Sequence, residues 1–152
     1  AIVAVEDKRF WEHNGVDGEG LMRAVYLAVT ADATQGASTI TQQLVRNTLR
    51  EAAEAADDEE ALEAATEVSV ERKIREWRYA LAYEERLNSI YGNVCTDAPE
   101  VDCGKEKVLE QYLNIAQFGT RIYGVEAAAQ YYFGISAAEL NIVQAATIAG
   151  IT

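Results

Sequence analysis

Apolar residues in this chain return at intervals of three and four, and a single proline interrupts its 152 positions. That spacing lines apolar side chains along one face of a 3.6-residue turn, where strands would alternate, so an all-α fold is expected. No strand and no internal repeat stands out. A first helix is expected from about Ile2 to His13, closing at Asn14-Gly15. A second runs from about Gly20 to Thr30 with Leu21, Val25 and Ala28 on one face, and a loop over 32–38 follows. The next opens at Thr39, which forms a capping box with Gln42 three residues on, and continues through Leu44 and Thr48. A long central helix from about Val70 to Leu87 takes Ser69 as its N-cap and turns Ile74, Trp77 and Leu81 inward. Residues 89–104 form a polar linker holding Pro99 and both cysteines. Helices over Lys105–Ala116 and Val125–Phe133 come next, the first broken by Phe118-Gly119 and the second ending at Gly134. A last helix starts at Ser136, with Glu139 completing a second capping box.

The length suits one domain, and 49% hydrophobic residues suffice for a buried core. A formal charge of -12 argues against a nucleic-acid partner, because phosphate backbones reward basic surfaces. The acidity is local, however. Eight acids and no Lys or Arg fall between Glu51 and Glu67, and the rest of the chain carries only -4. The segment over 51–68 therefore reads as an acidic insertion, helical by propensity, polar nearly all round and solvated. No apolar run approaches the roughly 20 residues that a bilayer core demands, the longest being about Ala24 to Ala31. The chain begins inside an apolar-periodic stretch without Met, as a fragment of a longer protein would.

Three stretches could carry chemistry. Glu6 lies four residues after Ile2, three after Val3 and four before Phe10, so a helix sets its carboxylate among apolar neighbours. Such surroundings suit general acid or base work, although on spacing alone an ordinary solvated acid is the commoner reading. His13, the only histidine, has no second ligand spaced for a metal and is expected to bond locally. Gly36-Ala37-Ser38-Thr39 leading into Ile40-Thr41-Gln42-Gln43 gathers free amides, hydroxyls and side-chain amides at a helix start, an arrangement that attracts phosphate or sugar hydroxyls. Capping alone explains Thr39 and Gln42 but not Ser38, Thr41 or Gln43. Arg72, Lys73 and Arg75 surround Glu76 at one-turn spacing, which could hold a pyrophosphate or amount only to surface ion pairs.

Together these stretches resemble the glycosyltransferase 51 family, the peptidoglycan glycosyltransferase domains of class A penicillin-binding proteins. The matching motifs are Glu6-Asp7-Lys8-Arg9-Phe10 with His13 and Gly15, then Gly36 to Gln43, then Arg72-Lys73-Ile74-Arg75-Glu76. Val108 to Asn114 and Tyr123 to Ala129, running on to Tyr132-Phe133-Gly134, complete the order. The resemblance implies a lysozyme-like helical lobe with a smaller, membrane-proximal jaw lobe, a single domain over 1–152. It implies polymerisation of lipid II into glycan strands with inversion at the donor's anomeric carbon and release of undecaprenyl pyrophosphate. By carry-over, Glu6 is the general base and Glu76 the second essential acid. Ser38, Thr39, Gln42, Gln43, Arg46, Arg72, Lys73, Arg75, Asn114 and Arg121 become substrate-binding positions. No cofactor is obligatory, and a divalent cation, Mg²⁺ or Mn²⁺, at the donor pyrophosphate is an optional aid. The implied partners are lipid II, the nascent glycan and the outer leaflet of the cytoplasmic membrane, with an N-terminal anchor and a C-terminal transpeptidase domain in the intact protein. The competing readings are a lysozyme-like muramidase or lytic transglycosylase with Glu6 as general acid, and an inactive glycan-binding module.

Three stretches depart from the family pattern: the long acidic linker before the third motif, the polar Asp17-Gly18-Glu19-Gly20, and the turn Phe118-Gly119-Thr120-Arg121. The implied outer-face location is oxidising, and there Cys95 and Cys103, eight positions apart with no other cysteine, are expected to form a structural disulfide rather than a zinc site.

Overall fold

A computed structural model describes residues 1–23, 38–95 and 103–152. All its regular elements are helical: α1 (Ile2–Glu6), α2 (Ile40–Ala56), α3 (Glu59–Thr66), α4 (Val70–Tyr91), α5 (Gly104–Ile115), α6 (Val125–Phe133), a 3-10 turn (Ala137–Glu139) and α7 (Ile142–Ala149). Residues 18–23 are also helical, and the remainder of the expected second helix and the loop over 32–37 lie outside the described residues. Helices α2, α4 and α5 pack against one another, with α3 folded back on α2, while α6 and α7 pack together and α7 also meets α1. Ile2, Phe10, Ile40, Leu44, Val108 and Tyr112 belong to one core that joins these groups.

The first helix is shorter than its periodicity suggests. Asp7 leaves the helical region with φ -156° and ψ 78°, and its carboxylate accepts the Ile40 amide at 3.1 Å and bonds the His13 ring at 3.0 Å. Those tertiary bonds outweigh one more helical turn, and Phe10 reaches full burial from turns instead. Helix α2 runs on to Ala56 and closes on the left-handed Asp57. The acidic segment is then less solvated than expected, because Ala53 and Ala65 are buried in the hairpin that α3 makes with α2. Arg75 ties the hairpin to α4 by donating to the Ala64 carbonyl.

Helix α4 corrects the sequence reading most sharply. Ser69 caps it as expected, accepting from the Arg72 amide. Yet Ile74 and Leu81 are 49% and 48% exposed, and the buried stripe is Glu76, Ala80, Glu84 and Leu87. Two buried carboxylates on one face, eight residues apart, invert the apolar signal that assigned the inner side. The expected last helix is two pieces: Ser136 and Glu139 cap only the 3-10 turn, and Asn141 restarts the chain as α7. Cys95 and Cys103 are joined by a disulfide with Cα atoms 5.0 Å apart, tying the exit of α4 to Cys103, the N-cap of α5.

Gly15 fixes how closely the turn after α1 approaches α4. It has φ +73°, and a Cβ there would lie 2.7 Å from the backbone oxygen of Ala80. Gly134 has a similar φ of +68° but meets nothing within 4 Å. Gly134→Ala should therefore cost only the left-handed backbone term, roughly 1 to 2 kcal/mol, and Gly15→Ala distinctly more. Denaturant unfolding of the two variants measures the difference directly.

Candidate active site

The first turn of α2 sets the site. Thr39 donates its hydroxyl to the Gly15 carbonyl at 2.6 Å and accepts the Gln42 amide, so this expected binding residue is spent on structure. Gln42 is 1% exposed, with neither side-chain amide atom hydrogen-bonded among the described residues. Gln43, one residue further round, behaves differently. Its Nε2 donates to Glu6 Oε2 at 2.9 Å, and its Oε1 accepts the Tyr112 hydroxyl at 3.1 Å. The Thr152 hydroxyl donates to the other oxygen of Glu6, also at 2.9 Å.

A cleft of about 440 Å³ opens beside these four residues, lined by Gln43, Tyr112 and Thr152 together with Arg46, Arg50 and Arg72. Gln43, Arg46, Asn47 and Arg50 all line it because they follow one another at three and four residues along α2. The opposite wall comes from Ala65, Thr66 and Val68, the uncharged edge of the acidic hairpin. Behind Arg72 lies Glu76, 2% exposed, whose carboxylate is bonded by Arg72 and by Lys73 at 3.3 Å. Lys73 also donates to the Ser38 hydroxyl, so the second and third motifs meet in one buried-to-exposed charge network.

Burial raises the Tyr112 phenol above its ordinary value, the Glu6 carboxylate adds to the rise, and Arg46 opposes it. The phenol is thereby kept as the protonated donor to Gln43.

Other expected site residues lie elsewhere. Arg75 turns away from the cleft to the Ala64 carbonyl. Asn114 is exposed near the end of α5, where its backbone oxygen abuts Gly124, and Arg121 sits exposed in a turn with φ 61°. A divalent cation at Glu76 is not favoured by the donor set. Arg72 and Lys73 already occupy the carboxylate, and no group of three or more His, Cys, Asp or Glu gathers among the described residues.

A transglycosylase family model matches residues 1–152. This chain belongs to the transglycosylase family. Among curated relatives of this transglycosylase chain are penicillin-binding protein 1A of Haemophilus influenzae, 40% identical, and that of Escherichia coli, 39% identical, each over 99% of the chain. Penicillin-binding protein 1F of Bacillus subtilis is 36% identical over the same share. The transglycosylase chain spans only 14% of the first two proteins and 17% of the third.

Among the cleft residues of the transglycosylase chain that escaped the sequence reading are Arg50, Tyr112 and Thr152. Arg50 was legible as one more step on the face shared by Gln43 and Arg46. Tyr112 was not, because its spacing is that of an ordinary core residue and only the fold brings its hydroxyl to Gln43.

Two outcomes test the site's electrostatics. Replacing Arg72 by Gln leaves the buried Glu76 carboxylate with Lys73 as its one cation and should destabilise by up to about 3 kcal/mol. The double variant with Glu76→Gln should recover part of that loss in a denaturant cycle. Spectrophotometric titration should show one tyrosine ionising above 10.0, and Tyr112→Phe should remove it. The stability that this phenol contributes is fully present below 10.0 and is lost as pH rises through its raised value.

Proposed function

We propose that this chain is the glycan-polymerising domain of a peptidoglycan glycosyltransferase, taking lipid II as substrate. The observation that carries the reading is the juxtaposition of one carboxylate, Glu6, held by Gln43 and Thr152, with a cleft lined by Arg46, Arg50 and Arg72. A carboxylate alone fits a hydrolase, but a hydrolase has no pyrophosphate for three arginines to receive.

Glu6 removes the proton from the acceptor 4-hydroxyl as that oxygen attacks the donor's anomeric carbon. The bond from that carbon to the pyrophosphate oxygen breaks as the new glycosidic bond forms on the opposite face, inverting the configuration. The departing undecaprenyl pyrophosphate carries the negative charge, which the cleft arginines stabilise. Glu76 acts one layer back by fixing Arg72 and Lys73, and Ser38 is placed by Lys73 at the same end of the cleft. A metal would have to be held largely by the phosphates themselves, and no step depends on one.

The nascent glycan is the second substrate. The intact protein is proposed to act at the outer face of the cytoplasmic membrane, with an N-terminal anchor, a membrane-proximal jaw lobe and a following transpeptidase domain. Among the described residues no helix is long and apolar enough to cross a bilayer. The acidic segment over 51–68 is proposed to serve as one wall of the donor end of the cleft, and 89–104 as a stapled connector.

Incubation with lipid II should yield long polymer that moenomycin suppresses. Shortened glycan would instead indicate a lytic enzyme, and tight binding without turnover an inactive module. Glu6→Gln should lower polymerisation at least a thousandfold while retaining lipid II binding, because the amide keeps the shape but cannot take a proton. Turnover close to the parent's would remove Glu6 from its role. Glu76→Gln should be nearly as damaging.

A further inference from the structure

The proposed mechanism leaves unused a strip of buried polar groups on the far side of α2. Glu84, 1% exposed, accepts both the Thr41 hydroxyl and the Lys105 ammonium on a single oxygen, the latter at 2.9 Å. Its second oxygen has no partner among the described residues. Lys105, also buried, approaches His13 Nδ1 at 3.5 Å, and the other ring nitrogen of His13 meets Asp7, which accepts the Ile40 amide. Thr39, Ile40 and Thr41 are thus bonded in turn to Gly15, Asp7 and Glu84. The N-cap hydroxyl, the first helical amide and the Thr41 hydroxyl are tied to three different segments, and together these bonds fix the roll of α2.

Roll is the variable to which Gln43 is most sensitive. Turning a helix by about 20° displaces an atom about 5 Å from its axis by about 2 Å, enough to break both bonds of the Gln43 amide. A buried ion pair is also a poor way to gain stability, since a well-packed apolar pair of the same volume does as well or better. What a directional pair supplies is register.

We propose that Glu84, with Lys105 as its counter-ion, is a positioning residue that acts through Thr41 to hold Gln43 against Glu6 and Tyr112. Neither Glu84 nor Lys105 lines the cleft, so their effect on the reaction is indirect, and the Thr41 hydroxyl is their bond to α2. The kinetic part of this proposal rests on the polymerase reading; the structural part does not.

The cleanest cut is Thr41→Val, which removes the hydroxyl at nearly constant volume and leaves the Glu84–Lys105 pair intact. The expected result is a kcat for lipid II polymerisation at least tenfold lower with KM changed less than twofold, and recovery in Thr41→Ser. In a Gln43→Ala background the same change should cost less than twofold, because the route it acts through is gone. Full additivity of the two losses, or a parent-like kcat in Thr41→Val, would overturn the proposal. Independently of activity, the Gln43 side-chain amide should be protected from hydrogen exchange in the parent and at least tenfold less so in Thr41→Val. Protection unchanged by Thr41→Val would equally overturn it. If the parent failed to polymerise while that protection was lost as expected, the functional reading would fall and the positioning role would stand.

Discussion

Helix α2 enters the core between two groups that have no business in an apolar interior, the Asp7 carboxylate on one side and the Lys105–Glu84 pair on the other. Burial pushes the Lys105 ammonium below its ordinary value, and Glu84 and then Asp7 push back. The ammonium also sits 4.4 Å over the Phe10 ring, so the cation gains an aromatic face as well as a carboxylate. Four segments meet on this strip: the turn after α1, the first turn of α2, the second half of α4 and the start of α5. Moving any one of them would expose a bare charge to hydrocarbon, which is far more costly than a slipped apolar contact. The position of Gln43, and through it of Glu6, follows from that constraint.

The charge map explains how a strongly acidic chain can present a cationic cleft. Acidity is concentrated on the exposed surface of the α2–α3 hairpin, from which Glu54 reaches the cleft residue Arg50 at 3.6 Å. The hairpin turns Ala65, Thr66 and Val68 to the cleft and keeps its carboxylates off that wall. At physiological ionic strength fields decay over about 8 Å, so a phosphate in the cleft responds to Arg46, Arg50 and Arg72 rather than to the net charge of -12. Net composition therefore says nothing about the sign of the cleft.

Much of the architecture was legible in advance. The three-and-four spacing established an all-α chain, and Thr39, Ser69 and Gly134 marked helix ends where the fold has them. Local chemistry suffices for these because a cap satisfies amides within its own turn. The resemblance of five ordered motifs placed Glu6, Gln43, Arg46, Arg72 and Glu76 in one function, and all five gather around one cleft and the charge network behind it.

What the sequence could not decide is which face of a helix is inside when charges are buried. Spacing assigned Ile74 and Leu81 to the core and gave no sign that Glu84 is buried, because periodicity counts apolar residues and is blind to partners that arrive from other elements. Arg72 and Lys73 reach Glu76 from one turn earlier on α4, whereas Thr41 and Lys105 reach Glu84 from α2 and α5, so two of the four bonds to the two carboxylates span elements. The same blindness let the first helix appear to run to His13, when Asp7 is drawn out of it by an amide 33 residues away. Helical class and helix ends are properties of local spacing and therefore written in the chain. The inner face of α4, the early end of α1 and the meeting of Glu6, Gln43 and Tyr112 are settled by long-range electrostatic pairing, which exists only once the helices have packed.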